Sequence, residues 1–488
     1  MVPRARRPVT SRRGPVVAGL MLTMALAAMD QTIVATAVPA LVRDLGSFSL
    51  FPWVIAAYML TQAVCTPIYG RLADVYGRKP MLIAGIVAFL AGSLLAAVSW
   101  SMPMLIVARA IQGIGAGAVQ SVTQTVAGDL YPIAERGRIS AWLSTVWGVS
   151  ALVGPALGGL LSEYASWRWI FWLNLPVGAA ALVVIGVWLR EPGVRGSGSS
   201  RLDISGTLLL AGAVVTIMLG LQFGAWWLIG CGLILVAAFA WWERRAAEPL
   251  IPPWIWRDRM LLGSFLGSAV VGMALIAPTV YLPTFAQGVL GASAVAAGFA
   301  LAVQSMSWPL AASFAARLYL RFGFRDTALA GIVLLLVSGV MFAMLSPSSS
   351  VLYAGLCSFV NGGGLGLISV SMLVAAQSQV GYDRRGVVTG GVIFFRITGG
   401  ALGTAVFAAV ANAALARELG GRAGSVDEAA RALNGGADGP QVEMIKTALA
   451  GAVHQVFLVM IGVGVLGLLA IFVLPRRRID PAAAESSP

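Results

Sequence analysis

Asp30 lies in the string AMDQTIVATAVPAL, inside the first long apolar run of the chain, residues 16–42. A helical run of ~20 residues covers ~30 Å, the thickness of a bilayer's hydrocarbon. A carboxylate placed there is costly to keep ionised, so whatever approaches it decides whether it holds a proton. Arg109 is the second charge of this kind, in LIVARAIQGIGAG. It follows Met102 by seven residues and so lies ~10 Å below the outer end of its run, the level Asp30 reaches ~21 Å from the cytoplasmic side. A carboxylate and a guanidinium in one layer can pair, and moving one from the other switches proton affinity. A static structural ion pair is the competing reading.

The elements that must carry these groups are set by composition. The chain has 488 residues, 58% hydrophobic and 11% charged, with a mean hydropathy of +0.86. Such a chain is a polytopic, all-α membrane protein. Fourteen apolar runs lie near 16–42, 51–70, 81–99, 103–128, 139–161, 167–189, 203–223, 226–242, 260–286, 293–316, 327–345, 350–377, 387–410 and 452–474. An even number puts both termini on one side. Arg43, Arg168, Arg417, Arg422, Arg431 and Lys446 fall on the opposite side, Arg109 and Arg396 fall within runs, and every other Lys or Arg falls on the side of the termini. That bias makes the termini cytoplasmic and the membrane the plasma (inner) membrane. The N-terminal SRRGPVV resembles an export signal only faintly, and the run behind it is expected to stay as the first span.

The net charge of +13 is spread in short clusters between spans, which argues against nucleic acid as a partner. Cys65, Cys231 and Cys357 stand in separate runs and His454 is the only histidine, so no metal site or disulfide is expected. No phosphate-binding GxxxxGK[ST] string occurs, no cofactor is implied, and ATP is not the energy source. A membrane-embedded enzyme would need clustered catalytic groups within the spans, and Asp30 is the single deep acid.

Two segments divide the chain. REPGVRGSGSSRLD is a charged Gly/Ser linker, and ERRAAEPLIPPWIWRDR is a basic, proline-broken interfacial stretch. They bracket two spans, giving a 6+2+6 layout: an N-terminal bundle over 1–190, a linker with two extra spans over 191–259, a C-terminal bundle over 260–474 and a tail over 475–488. The loop near 411–451 is outer, with a short helix expected at 426–433.

In GRLADVYGRKP, Gly70 and Gly77 are expected to permit tight turns, while Asp74, Arg78 and Lys79 can pair at the cytoplasmic ends of two spans. Asp129 and Arg136 face the same surface, and such a charge cluster can hold one conformation shut and release it in another. GPALGG places Gly154, Pro155, Gly158 and Gly159 in one span, where proline removes a backbone hydrogen bond and small residues allow close approach; a bend is expected.

These strings resemble those of the major facilitator superfamily: GRLADVYGRKP its cytoplasmic loop signature, LIVARAIQGIGAG its arginine motif, GPALGG the motif of its antiporters. MDQTIVATAVPAL and WRWIFWLNLP are similar to the fourteen-span drug:proton antiporter branch. The resemblance covers essentially the whole chain. It implies alternating access between two six-helix bundles, proton-coupled export of lipophilic or cationic drug-like compounds, and a monomer in the lipid bilayer with protons and an amphiphilic small molecule as partners. Export of a lipid or an endogenous secondary metabolite on the same scaffold is the alternative.

An internal repeat sharpens the assignment. Gly77 corresponds to Gly323, but Asp74 to Leu320, Arg109 to Ser358, Gln112 to Asn361 and Asp30 to Ala274. The second half keeps the scaffold and loses the charges, so the first half is expected to carry proton chemistry at Asp30 and Arg109. Candidate substrate-lining residues are Trp53, Tyr58, Gln62, Gln120, Gln124, Trp142, Trp147, Tyr281, Gln304, Trp308 and Asn361. Aromatic faces and uncharged hydrogen-bonding groups suit lipophilic molecules. Arg396 also lies within a run but can snorkel ~12 Å toward the cytoplasm, and it is read as a structural arginine whose role is open.

Overall fold

The computed structural model describes residues 13–46, 50–191, 203–246, 249–418 and 440–476. Among these residues the regular structure is helical throughout, with no strand. The expected helix at 426–433 lies outside them.

Two compact units form. The first contains the described residues up to Leu261 together with Leu373–Phe394, and the second contains Leu262–Met372 and the described residues from Phe395 to Arg476. The first unit begins with α1 (Arg13–Thr36), α2 (Val38–Leu45), α3 (Phe51–Tyr76), α4 (Arg78–Ala97) and α5 (Met102–Leu130). It continues with α6 (Ile133–Tyr164), α7 (Trp169–Trp188), α8 (Ile204–Phe223) and α9 (Trp226–Glu243). Later come α10 (Arg259–Gly288), α11 (Ala294–Phe322), α12 (Phe324–Ala343), α13 (Val351–Ser378), α14 (Arg385–Glu418) and α15 (Pro440–Phe472). The ends of α13 and α14 that flank a 3-10 turn at Tyr382–Arg384 belong to the first unit.

Helices fall on all fourteen apolar runs, with one break that the sequence reading did not anticipate. The run 16–42 is not one helix: α1 stops at Thr36, and α2 starts afresh with Pro39 in its first turn. Proline brings no amide to the preceding turn, and that loss costs least in the first turn of a new helix. Thirteen helices are long and apolar enough to cross a membrane among the described residues. The remaining long helix, α3, has 26 residues and carries Gln62, Arg71 and Asp74. Bulky side chains on outward faces stay uncovered, as on α8 and α9 where Leu208 is 67% and Ile234 69% exposed, which suits lipid as solvent.

In the first unit α5 packs between α3 and α4, α1 lies against α6 and α7, and α8 pairs with α9. Glycines on α5 allow the closeness. A Cβ added to Gly113 would sit 2.3 Å from the Tyr58 carbonyl, and one on Gly115 would sit 2.5 Å from the Gly85 carbonyl. Interfaces of small residues are how membrane helices gain contact without a hydrophobic driving force. In the second unit Phe342 of α12 stacks on Phe457 of α15 at 4.7 Å, and Phe265 of α10 stacks on Phe395 of α14 at 5.2 Å.

The repeat is visible in the backbone. Gly77 ends α3 at φ 103°, and Gly323 ends α11 at φ 91°, each accepted because glycine lacks a Cβ. Each is followed at once by a helix of 20 residues. Gly70 departs from expectation: it lies inside α3, not in a turn. Its lack of a side chain serves contact instead, since an added Cβ would sit 2.5 Å from the Gly386 carbonyl at the start of α14.

Candidate functional site

Five helices converge on Asp30. Arg109 and Gln112 are three residues apart on α5 and so share a face. Asn174 is five residues into α7, ~8 Å from that helix's first residue, while Arg109 is ~10 Å into α5, which places both in one layer. Asp30 is fully buried and Arg109 is 2% exposed. Arg109 Nη1 donates to Asp30 Oδ2 at 2.5 Å and to Gln112 Oε1 at 2.7 Å. Gln112 Nε2 donates to Asp30 Oδ1 at 3.1 Å, and Asn174 Nδ2 donates to the same oxygen at 3.0 Å. The Arg109 Nε–H reaches the Val54 carbonyl at 3.3 Å, and its guanidinium lies 4.3 Å from the centre of the Tyr58 ring. Asn174 is also 2.9 Å from the hydroxyl of Ser93 on α4, which donates to the Phe171 carbonyl.

A buried pair repays desolvation only when further hydrogen bonds support it, and here Gln112, Asn174 and the Val54 carbonyl supply them. Removing one partner of such a pair typically costs about 3–5 kcal/mol. The arrangement therefore ties α1, α5 and α7 together in one layer through a single carboxylate. Asn174 was not among the sequence candidates, although it is the one amide in WRWIFWLNLP. Gln31, next to Asp30, was also passed over: its Nε2 faces the Tyr58 hydroxyl and Gln62 Oε1, each at 3.4 Å.

A second cluster lies where the ends of α3 and α5 meet the starts of α4 and α14 in the first unit. Arg78 is its hub. Its Nη2 is 2.9 Å from Asp74 Oδ1, and its Nε donates to Asp129 Oδ2 at 2.9 Å. Arg385 Nη1 donates to Asp129 Oδ1 at 2.5 Å and to the Gly128 carbonyl at 3.1 Å. Asp74 Oδ1 and Oδ2 accept the amides of Gly386 and Val387 at 2.9 and 2.8 Å. The first-turn amides of a helix lack partners within it and carry its positive end, so a carboxylate from α3 caps α14. Arg78 also donates to the Tyr382 carbonyl and lies 3.8 Å over that ring.

Lys79 does not join the carboxylates as expected; its Nζ donates to the Gly186 carbonyl at 2.6 Å, near the C-terminal end of α7. Arg136 is buried and donates to the Tyr131 carbonyl at 3.0 Å, holding the α5–α6 turn. Glu191, another residue absent from the sequence candidates, accepts the Arg78 amide at 2.6 Å. Burial pushes its carboxyl above the usual carboxylate range, against the lowering pull of that amide. Arg385, Tyr382 and Glu191 come from segments remote in sequence, and only the fold reveals them.

The GPALGG residues divide. A Cβ on Gly154 would sit 2.1 Å from Thr32 Oγ1, so this glycine lets α6 meet α1, whereas one on Gly159 would meet nothing within 4 Å. Gly158 is buried, and Pro155 lies within α6, which remains one helix of 32 residues. Between α2 and the α6–α7 turn Arg168 Nη1 is 2.6 Å from Asp44 Oδ2, and with Trp167 it holds the Asp44 carboxyl below its usual range.

The lining candidates divide between the two units. Tyr58 and Gln62 adjoin Asp30 through Gln31. Gln120 is buried, the Gln124 carbonyl accepts from Gln377 at 3.2 Å, Trp53 is half-buried, and Trp147 packs on the core of the first unit. Trp142 is 41% exposed beneath the Arg138 guanidinium. In the second unit Tyr281, Gln304 and Asn361 are buried, Trp308 is half-buried, and Asn361 donates to Ser338 at 3.2 Å.

Residues 20–404 match the Major Facilitator Superfamily. Multidrug resistance protein 3 of Bacillus subtilis (strain 168) is 32% identical over 405 residues, 81% of this chain and 79% of that protein. Multidrug transporter protein MdtP of the same organism is 30% identical over 413 residues, 83% and 76% of the two chains. The crystal structure of the human organic anion transporter MFSD10 (TETRAN) has the same fold, with a TM-score of 0.65 over 94% of this chain and 99% of that one, at 17% identity.

Proposed function

The chain belongs to the Major Facilitator Superfamily, a family of membrane transporters and not of enzymes, and from that premise we propose that it is a proton-coupled antiporter exporting amphiphilic, drug-like small molecules. The observation that carries the proton part is the pairing of the deep carboxylate Asp30 with Arg109, sealed from solvent and braced by Gln112 and Asn174. Ionised, Asp30 holds Arg109. A proton arriving from outside removes the negative charge, releases the guanidinium and leaves α1 and α5 free to repack. Deprotonation toward the cytoplasm restores the pair. Alternating access then couples each proton taken inward to one substrate expelled, between two six-helix bundles with α8 and α9 at the periphery.

The cytoplasmic cluster is the matching latch. Asp74 caps α14, and Arg78 joins Asp74 to Asp129, so the ends of α3, α5 and α14 are tied while these contacts last. Opening toward the cytoplasm requires breaking them. The protein is read as a monomer in the plasma membrane with both termini cytoplasmic.

The decisive experiment reconstitutes the full chain in proteoliposomes and follows uptake of a panel of lipophilic fluorescent dyes, anionic, neutral and cationic, driven by an imposed pH gradient. Wild type should accumulate at least one of them. Asp30→Asn should insert and fold, because a neutral amide is cheaper to bury, and should show no gradient-driven accumulation. Undiminished accumulation by the variant would remove Asp30 from the mechanism.

A further inference from the structure

Two arginines lie well inside the apolar length of a spanning helix, and they are treated differently. Arg109 is paired with Asp30 and donates as well to Gln112 and the Val54 carbonyl. Arg396 stands eleven residues past the first residue of α14, ~16 Å along it. Its side chain is partly open and has no hydrogen bond, ion pair or ring partner among the described residues. The backbone beneath it is fixed. A Cβ on Gly272 of α10 would sit 1.9 Å from the Arg396 carbonyl, and one on Gly399 would sit 2.1 Å from the Ala269 carbonyl. Phe395 beside it is stacked on Phe265. A close seam of two helices thus presents a guanidinium that meets no counter-charge among the described residues of the second unit.

Nor do the described helices of the second unit hold one in reserve. The helices α10, α11 and the Val351–Ser378 helix contain no acidic residue. The acids of the other second-unit helices stand in end turns: Asp326 opens α12, Glu418 closes α14, ~33 Å from Arg396, and Glu443 opens α15. In the first unit the one deep acid, Asp30, is matched by Arg109. The spanning interior therefore carries one positive charge in excess among the described residues. An uncompensated cation at that depth is costly and marks a site where a charge is meant to arrive. Arginine's planar fork suits a carboxylate or sulfonate held by two parallel hydrogen bonds.

We propose that Arg396 is a substrate counter-ion site, and that the compounds this protein binds are amphiphiles bearing a compact anionic group. The inference rests on the export reading and narrows it, turning the expected preference for cations toward anions. A lipophilic cation entering the same interior meets like charge. The coupling changes too: exchanging an anion for one incoming proton moves two charges across the membrane, whereas exchanging a monovalent cation moves none. Export of an anion is then accelerated by a potential negative on the cytoplasmic side.

The test uses the full-length protein and three probes built on one ring: naphthylacetate, naphthylacetamide and naphthylmethyl-trimethylammonium. Binding is read from ligand-dependent shifts in thermal unfolding in phosphatidylcholine vesicles, and transport from uptake driven by a pH gradient. Wild type should bind the acetate at least about tenfold more tightly than the amide, with the ammonium weakest, as expected for one charge-assisted pair. Arg396→Gln should erase that preference, and Arg396→Lys should keep part of it. Equal affinities in wild type, a preference for the ammonium, or an acetate preference surviving in Arg396→Gln would overturn the assignment. Loss of the wild-type preference in phosphatidylglycerol vesicles would give the arginine to a lipid headgroup and likewise overturn it. If no probe is moved by the gradient while acetate binding still depends on Arg396, the export reading falls and the anion site stands.

Discussion

Asp30 has no contact with water, and its two oxygens are divided between Arg109 on one side and Gln112 with Asn174 on the other. Because these donors share one carboxylate, their contributions are coupled and cannot add. Arg109→Gln should therefore depress gradient-driven efflux strongly, while the double variant with Asp30→Asn should be no worse than Asp30→Asn alone. Additive losses in that double-mutant cycle would show that the two charges act separately. Glu191 gives a residue-scale prediction for stability. Burial raises its carboxyl above the usual range, so the folded state binds a proton that the unfolded chain has already lost. Stability from this group is complete below the unfolded pKa and is lost as pH rises through the raised one. The thermal midpoint of the detergent-solubilised protein should fall over that window, and Glu191→Gln should flatten the fall. An identical slope in the variant would mean that other groups set it.

Among the elements, α3 and α11 are equivalent in the repeat, ending at Gly77 and Gly323 with like backbone, yet only α3 carries a carboxylate one turn before its end. Asp74 uses that position to cap α14, where Leu320 in the repeat offers no acceptor side chain. Asp74→Asn should lower turnover and shift the resting population between inward- and outward-open states, because an amide keeps the shape but loses the charge facing the helix end. Leu320→Asn should do far less. Cysteine accessibility at the cytoplasmic ends of α3 and α14, together with transport rates, separates the two outcomes. Equal effects at both positions would reduce the charged loop to a topology signal. Gly70 belongs to the same element: with the Gly386 carbonyl 2.5 Å from where a Cβ would stand, it is the point at which α3 and α14 meet.

For the whole molecule, the charge distribution decides orientation. All Lys and Arg outside the spans, apart from six, lie on the side of the termini, so a fluorescent protein fused after Pro488 should fold and fluoresce in the cytoplasm. In a background lacking Cys65, Cys231 and Cys357, a cysteine replacing Arg43 should react with a membrane-impermeant maleimide added outside, and one replacing Arg321 should not. The reverse pattern would invert the topology and with it the direction of transport.

The sequence alone determined the membrane class, the helix positions and the two deep charges of the first half, because apolar runs of bilayer length and rare buried charges are local signals that the solvent imposes. It also placed Asp30 and Arg109 at one depth, since rise per residue is fixed once a segment is helical. What completes those charges was not legible. Asn174 reaches Asp30 from 144 residues away, and Asp74 meets the α14 amides across more than 300 residues, contacts that no periodicity encodes. The break before Pro39, the service of Gly70 in helix contact and the turning of Lys79 to a carbonyl were likewise decided by which helices became neighbours. The absence of any partner for Arg396 is also a tertiary fact: the sequence showed a charge in a span, and only packing shows that the described residues leave it unmatched.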